Sequence, residues 1–266
     1  MAALRHFLLA LQFFTRIPVT GRLAGWVGYS PQMLNASAGH FPGVGWVVGA
    51  WGAAVLWAAL VLLPTGPLGA LVAVGLSTAA TAWLTGAFHE DGLADTFDGL
   101  GGSVTRERAL AIMKDSRIGS YGALALVLVL GLKLALLALI AQRGAVPVAA
   151  ALLGAHVLSR AAPLDVMYGL PYISDPAGAK SKPLAESAGP ATVFTGLAWS
   201  LPALLLLGWV HGPLSLGLAV LGWMLALGAM RRTLRRRLQG FTGDTLGATQ
   251  QLCELALYLG LALRLP

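Results

Sequence analysis

The sequence predicts an all-α fold: a polytopic membrane helix bundle of about seven transmembrane helices, with an N-terminal interfacial or re-entrant helix. Three observations predict it. Of the 266 residues, 57% are hydrophobic and only 11% charged, against about 45–50% and about 25% in soluble domains. The chain falls into runs of roughly 20 apolar residues, the length that crosses a bilayer. Its few charges gather on one side of those runs. With 18 basic and 11 acidic residues, a chain this apolar cannot clothe a soluble surface. The same numbers exclude intrinsic disorder, which needs low hydrophobicity and high charge. Residues 1–266 read as a single integral membrane domain.

The elements follow in order. The first 14 residues are apolar but short, and no A-x-A-like cleavage site follows, so they read as an interfacial or re-entrant helix rather than a signal peptide. Seven spans follow, at about 44–63, 68–88, 121–141, 146–164, 191–210, 213–230 and 245–264. The third contains Lys133, where a charge is expensive and usually paired, unless its long stem reaches an interface. The fourth contains His156, Ser159 and Arg160. The seventh contains Gln250, Gln251 and Glu254.

The connections sort the charges. The N-terminus and every second loop carry 14 of the 18 basic residues, whereas the other side carries Arg143 and Arg264 alone. The positive-inside rule places the richer side in the cytoplasm, and seven spans then put the C-terminus outside. Ten of the eleven acids fall on the same side. They include Asp175 and Glu186, in a loop that also holds Lys180 and Lys182. The eleventh acid is Glu254, inside the last span. The opposite connections, near 64–67, 142–145 and 211–212, are minimal. All polar chemistry therefore belongs to one membrane face. The sequence pI of about 10.1 reads as a topology signal, not as affinity for nucleic acid. Cys253, the single cysteine, excludes an internal disulfide and reads as an inert buried thiol. No GxxxxGK[ST] phosphate loop is present, which argues against ATP-driven transport.

The densest chemistry is Phe88-His89-Glu90-Asp91-Gly92-Leu93-Ala94-Asp95-Thr96-Phe97-Asp98-Gly99. On a continuing helix Asp91, Asp95 and Asp98 stand at i, i+4 and i+7, on one face. Like charges so placed repel, and a divalent cation relieves them. Oxygen-only ligands, with Glu90 as a further member, suit Mg²⁺, Ca²⁺ or Mn²⁺ rather than Zn²⁺. A solvated acidic loop is the competing reading, against which the scarcity of charge elsewhere weighs. His89 can ligate, stack on a ligand or simply pack.

Before the third predicted span lies Met113-Lys114-Asp115-Ser116-Arg117-Ile118-Gly119-Ser120. Lys114, Ser116 and Arg117 can donate to phosphate oxygens near a helix start. Anchoring at the headgroups explains the basic residues but not the interleaved Asp, Ser and Gly. Before the last predicted span, Thr242-Gly243-Asp244-Thr245-Leu246-Gly247-Ala248 sets one carboxylate between glycines, and Asp244 is a candidate metal ligand or general base. Ser159 and Arg160 sit near the end of the fourth span, where Arg160 either snorkels or meets a phosphate or carboxylate. Together these residues point to metal-dependent transfer of a phosphate-containing group onto a hydroxyl, with a carboxylate accepting the proton.

At these residues the chain resembles the adenosylcobinamide-GDP ribazoletransferase family, also called cobalamin (5′-phosphate) synthase. The resemblance spans essentially the whole chain. Its landmarks are Phe14-Thr15-Arg16-Ile17-Pro18-Val19, Phe41-Pro42, the His89–Gly99 stretch, Met113–Gly119, Ser159-Arg160 and Thr242–Ala248. Segment 179–189 resembles the family least. The resemblance implies a catalytic domain in the cytoplasmic (inner) membrane whose active site faces the cytoplasm. The implied substrates are adenosylcobinamide-GDP and α-ribazole or its 5′-phosphate; the implied products are adenosylcobalamin or its 5′-phosphate, and GMP. It implies Mg²⁺ held by Asp91, Asp95 and Asp98, with Glu90 ranked below them, and Asp244 or Asp115 as base or further ligand. His89, Lys114, Ser116, Arg117, Ser159, Arg160 and Thr245 would contact substrate or its phosphates. The lipid bilayer is a partner, nucleic acid is not, and a homo-oligomer stays open. Two alternatives differ in class. A CDP-alcohol phosphotransferase needs an Ala-Arg after its D-x-x-D-G, and none follows Gly99 in place. A divalent-cation transporter needs polar groups on both faces, and one face has no acid.

Overall fold

The computed structural model describes residues 1–173 and 187–264. The loop residues Asp175, Lys180, Lys182 and Glu186, and most of segment 179–189, lie outside the described residues. Twelve α-helices are described, and the one β contact among the described residues is an isolated bridge between Tyr172 and Phe241. The helices are α1 (Ala2–Phe14), α2 (Gly21–Val27), α3 (Pro31–Ser37), α4 (Phe41–Leu62), α5 (Pro67–Thr85) and α6 (Phe88–Gly101). They continue as α7 (Arg106–Met113), α8 (Ser120–Ala141), α9 (Ala145–Ser159), α10 (Ala162–Gly169), α11 (Pro190–Arg237) and α12 (Gly243–Ala262). Proline in the first turn starts α4, α5, α10 and α11, where its missing N–H costs nothing.

Among the described residues, five helical stretches are long and apolar enough to cross a membrane: 31–62, 67–85, 120–141, 145–169 and 190–237. The last is two helices. Gly212 (φ 83°, ψ 163°) breaks it, as the connection at 211–212 predicts. A Cβ on Gly208 would meet Leu216 at 3.2 Å. In a straight helix those positions are about 12 Å apart along the axis, so the chain reverses here. The fourth predicted span is bent rather than single: α9 ends at Ser159 and α10 restarts at Ala162.

The seventh predicted span is α12, which is too polar to join the five apolar stretches. Its position explains its composition. It is the central helix, packed against α6, α8, α9, α10 and α11, with Gln250, Gln251, Glu254 and Tyr258 all buried. Small residues allow this packing. Gly45 and Gly49 on α4 press against the backbone of α9, and Gly260 on α12 presses against Ala219. Such small-residue contacts drive helix association in lipid, where the hydrophobic effect cannot. At the N-terminus α1 buries Leu9, Ala10, Leu11 and Phe14 against α2, α3 and α4.

One boundary differs from the sequence reading. The second span does not run on into the acidic stretch. Gly86 (φ 67°) and Ala87 (φ 57°) both take left-handed backbone, ending α5 and turning the chain. Glycine adopts that region freely, whereas alanine does so at a cost. The acidic residues then lie on a separate helix, α6, which packs on α12 and α8 rather than mainly on α5.

Candidate active site

The site begins where α6 crosses the first turns of α12. A Cβ on Gly92 would lie 2.7 Å from the carbonyl oxygen of Asp244 and 3.0 Å from its Cα. A Cβ on Gly247 would lie 3.3 Å from the Cα of His89. At Gly92 any side chain would force the helices apart and at Gly247 the fit is tight, and both glycines belong to motifs of the sequence. The start of α12 is fixed by a reciprocal cap: Thr242 Oγ1 accepts from the Thr245 N–H, and Thr245 Oγ1 accepts from the Thr242 N–H.

This crossing brings Asp91 and Asp95 of α6 beside Asp244 of α12. Asp95 registers the crowding: its carboxyl is pushed up to about 7, by burial first and then by Asp91, Asp244 and Asp98. Asp91 is exposed and Asp95 half-buried, so the group opens outward. Among the described residues no three His, Cys, Asp or Glu side chains stand close enough to form a metal cage by themselves.

Asp98 shares their helix face but has its own partners. Its Oδ2 accepts from the Gly119 N–H at 2.7 Å and its Oδ1 from the Gly122 N–H at 2.8 Å. The carboxylate therefore binds the start of α8, where free amides and the helix dipole favour an anion. Glu90, one residue before Asp91, points into the protein. Its Oε1 accepts from Gln251 at 3.2 Å, and its Oε2 is buried without a hydrogen-bond partner among the described residues.

The remaining sequence candidates divide by exposure. Lys114, Ser116 and Arg117 lie on the exposed connection between α7 and α8. Asp115 accepts from Arg117 Nε at 2.9 Å, and that guanidinium holds its carboxyl well below the ordinary range. Its electrostatic neighbours are Arg117 and Arg108, not the α6 aspartates. Ser159 and Thr245 are fully buried. Ser159 accepts from Gln250 Nε2 at 2.8 Å, and Thr245 serves the cap.

Beside the carboxylates lies a cavity that the sequence did not reveal. Phe13, Phe14, Phe41 and Phe88 wall it, and His89, Arg160 and the α12 turn at Gly243 and Gly247 complete it. The rings brace one another: Phe14 and Phe41 meet edge to face at 4.4 Å, and His89 stacks on Phe14 at 5.8 Å. Burial first, and then the Arg160 charge, holds His89 well below its ordinary value, so its imidazole is neutral.

Behind the cavity a polar network reaches into the bundle. Lys133 Nζ pairs with Glu254 Oε1 at 2.7 Å, with both side chains buried. Tyr258 donates to the same oxygen at 2.9 Å, and Gln250 Nε2 donates to Oε2 at 2.7 Å. Arg160 donates to the His156 carbonyl at 2.8 Å. Of the two readings open for Lys133, the paired one holds. Sequence reasoning gave no role to the four phenylalanines, to Tyr258, or to His156 and Gln251, which it named only as polar residues inside spans. The phenylalanines carried one weak signal: Phe14, Phe41 and Phe88 stand within the motif stretches.

Comparison with known proteins agrees with these landmarks. Residues 6–262 match the family described as cobalamin-5-phosphate synthase. The chain is 55% identical to the adenosylcobinamide-GDP ribazoletransferase of Albidiferax ferrireducens, over 98% of this chain and 99% of the relative. It is 54% identical to that of Polaromonas naphthalenivorans over the same shares. It is 43% identical to that of Shewanella sp. strain ANA-3, over 95% of this chain and 91% of the relative. No solved structure matches.

Proposed function

The chain belongs to the cobalamin-5-phosphate synthase family, and from that premise we propose that it performs the transfer named in its relatives. The adenosylcobinamide-phosphate group of adenosylcobinamide-GDP passes to the ribose hydroxyl of α-ribazole or of its 5′-phosphate. The acceptor oxygen forms a bond to the phosphorus nearer the cobinamide. The bond from that phosphorus to the GMP oxygen breaks, and GMP leaves. The cobinamide portion and the ribazole are then joined through one phosphodiester, giving adenosylcobalamin or its 5′-phosphate.

The observation that carries this reading is the Gly92–Asp244 crossing, where the carboxylates of two helices come within electrostatic reach of one another. Asp244 would accept the proton of the attacking hydroxyl. Asp91 and Asp95, with Asp244 beside them, are the residues that would hold Mg²⁺. The donor set fits: it is all oxygen, and mutual repulsion adds to burial in pushing Asp95 up. Magnesium is commonly held by one or two carboxylates together with substrate phosphates, not by a complete protein cage. When bound, the ion neutralises charge on the phosphate oxygens. Lys114 and Arg117, on the exposed α7–α8 connection, would meet phosphates reaching beyond the carboxylates. Asp98 acts at one remove, tying α8 to the catalytic helix. Arg160 stands at the cavity rather than on the exposed connection.

The membrane setting follows from the same reading. The excess of basic residues beside the motifs supports a cytoplasmic face for the site, in the cytoplasmic (inner) membrane. The test is direct. The purified protein in lipid, given adenosylcobinamide-GDP, α-ribazole and Mg²⁺, releases GMP and forms a cobamide. Folded protein that yields neither product overturns the proposal.

A further inference from the structure

We propose that the phenylalanine-walled cavity is the seat of the acceptor's aromatic base, and that Arg160 reads a ring nitrogen there. The inference rests on the transferase reading only for the identity of the base.

Phe13, Phe14, Phe41 and Phe88 come from α1, α4 and α6 and line a partly open cavity together with residues of α10 and α12. Its lining has the character of small-molecule pockets, which are mostly apolar with a few placed polar groups. Here the polar side chains are two, His89 and Arg160. Arg160 is only 3% exposed, and its Nε is buried without a hydrogen-bond partner among the described residues. A buried guanidinium nitrogen without an acceptor is costly, and the residue that carries it lines this cavity. Guanidinium has no acceptor to offer. Glu254 and Glu90 already lie in electrostatic contact with it, so the missing partner is a hydrogen-bond acceptor rather than a counter-charge.

These features select one ligand chemistry. A guanine presents N–H groups along its edge that need acceptors, and no carboxylate or carboxamide lines this cavity. A benzimidazole joined to a sugar has one ring nitrogen that accepts and no N–H to satisfy. Its two fused rings offer faces and edges to the phenylalanines. The wall at Gly243 is one residue from Asp244. A base seated among the rings therefore directs its sugar hydroxyls toward the carboxylates, the orientation that acceptor attack requires.

The test uses 1,5,6-trimethylbenzimidazole, in which a methyl stands for the sugar, and the protein in lipid nanodiscs without nucleotide or metal. Equilibrium dialysis should show saturable binding. The indole analogue, which lacks the accepting nitrogen, should bind about tenfold or more weakly, because it leaves Arg160 unpartnered. Phe88→Ala and Phe13→Ala, at two half-exposed rings, should each weaken binding of the base. Each should raise the KM for α-ribazole severalfold while the KM for adenosylcobinamide-GDP stays unchanged. Failure of the base to bind, equal affinity for the indole, or displacement of the base by GMP overturns the inference even when turnover is normal. Binding with the expected preferences in a protein that never releases GMP keeps the base site and removes the transferase reading instead.

Discussion

Replacing Gly92 with alanine adds one methyl group where α6 and α12 touch. The new Cβ would stand 2.7 Å from the Asp244 carbonyl oxygen, about 0.7 Å short of the 3.4 Å at which ordinary contact begins. The obstacle is backbone in the first turn of a capped helix, so no flexible side chain can swing aside. The helices must part by most of that distance. Overpacking of this kind costs about 1–3 kcal/mol, which a bundle of this size survives. The catalytic cost is larger, because Asp91 and Asp95 move relative to Asp244, and a misplacement near 1 Å lowers rates about 10²-fold. The assay is GMP release in lipid, beside thermal unfolding of the same sample. The expected result is a protein that unfolds within a few degrees of wild type and turns over about 10²-fold more slowly. Turnover within twofold of wild type would show that the α6–α12 crossing does not set the reacting geometry.

Other predictions test the supports of the site. The Lys133–Glu254 pair at 2.7 Å has a gross attraction of about 6 kcal/mol at an effective dielectric near 20, offset by the cost of desolvating both charges. Lys133→Met and Glu254→Gln should each destabilise by about 3–5 kcal/mol, and the double variant by clearly less than their sum; additive losses in chemical unfolding would contradict the pairing. Asp98→Ala removes the acceptor for two amides at the start of α8. It should cost about 2–3 kcal/mol, by the same amount with and without Mg²⁺; a cost that appears only with Mg²⁺ would make Asp98 a metal ligand first. For Asp95, whose carboxyl is raised from the ordinary 3.8 to about 7, the folded chain holds a proton that the unfolded chain gives up between those values. Stability of the metal-free protein should therefore fall as pH rises from about 4 to about 7. Asp95→Asn should flatten that slope in a melting series, and an unchanged slope would assign it elsewhere.

Much of the architecture was legible because bilayer thickness imposes it. Apolar runs near 20 residues marked the spans, and Gly212 marked the reversal inside the longest helix. The i, i+4, i+7 spacing put Asp91, Asp95 and Asp98 on one face, and they share it. What stayed hidden depends on tertiary contact. Ala87 takes left-handed backbone against its propensity, so the break between α5 and α6 carried no warning. Asp98 reads like its neighbours until α8 arrives to claim both oxygens. Ser159 and Thr245 sit in motifs yet serve packing and capping. The four phenylalanines come from three helices and vanish among the apolar residues of a chain that is 57% hydrophobic. Lys133 and Glu254 could each be flagged as costly, but which charge answers which is decided only when α8 meets α12.

The central claim is that carboxylates gathered from α6 and α12 carry out the transfer, and one comparison tests it most directly. Wild type and Asp95→Asn, each in lipid bilayers and each shown to be folded, are given adenosylcobinamide-GDP, α-ribazole and Mg²⁺, and GMP is followed over time. The account predicts GMP and cobamide in equal amounts from wild type and essentially none from the variant. Release of GMP by the variant at a rate near that of wild type would contradict it.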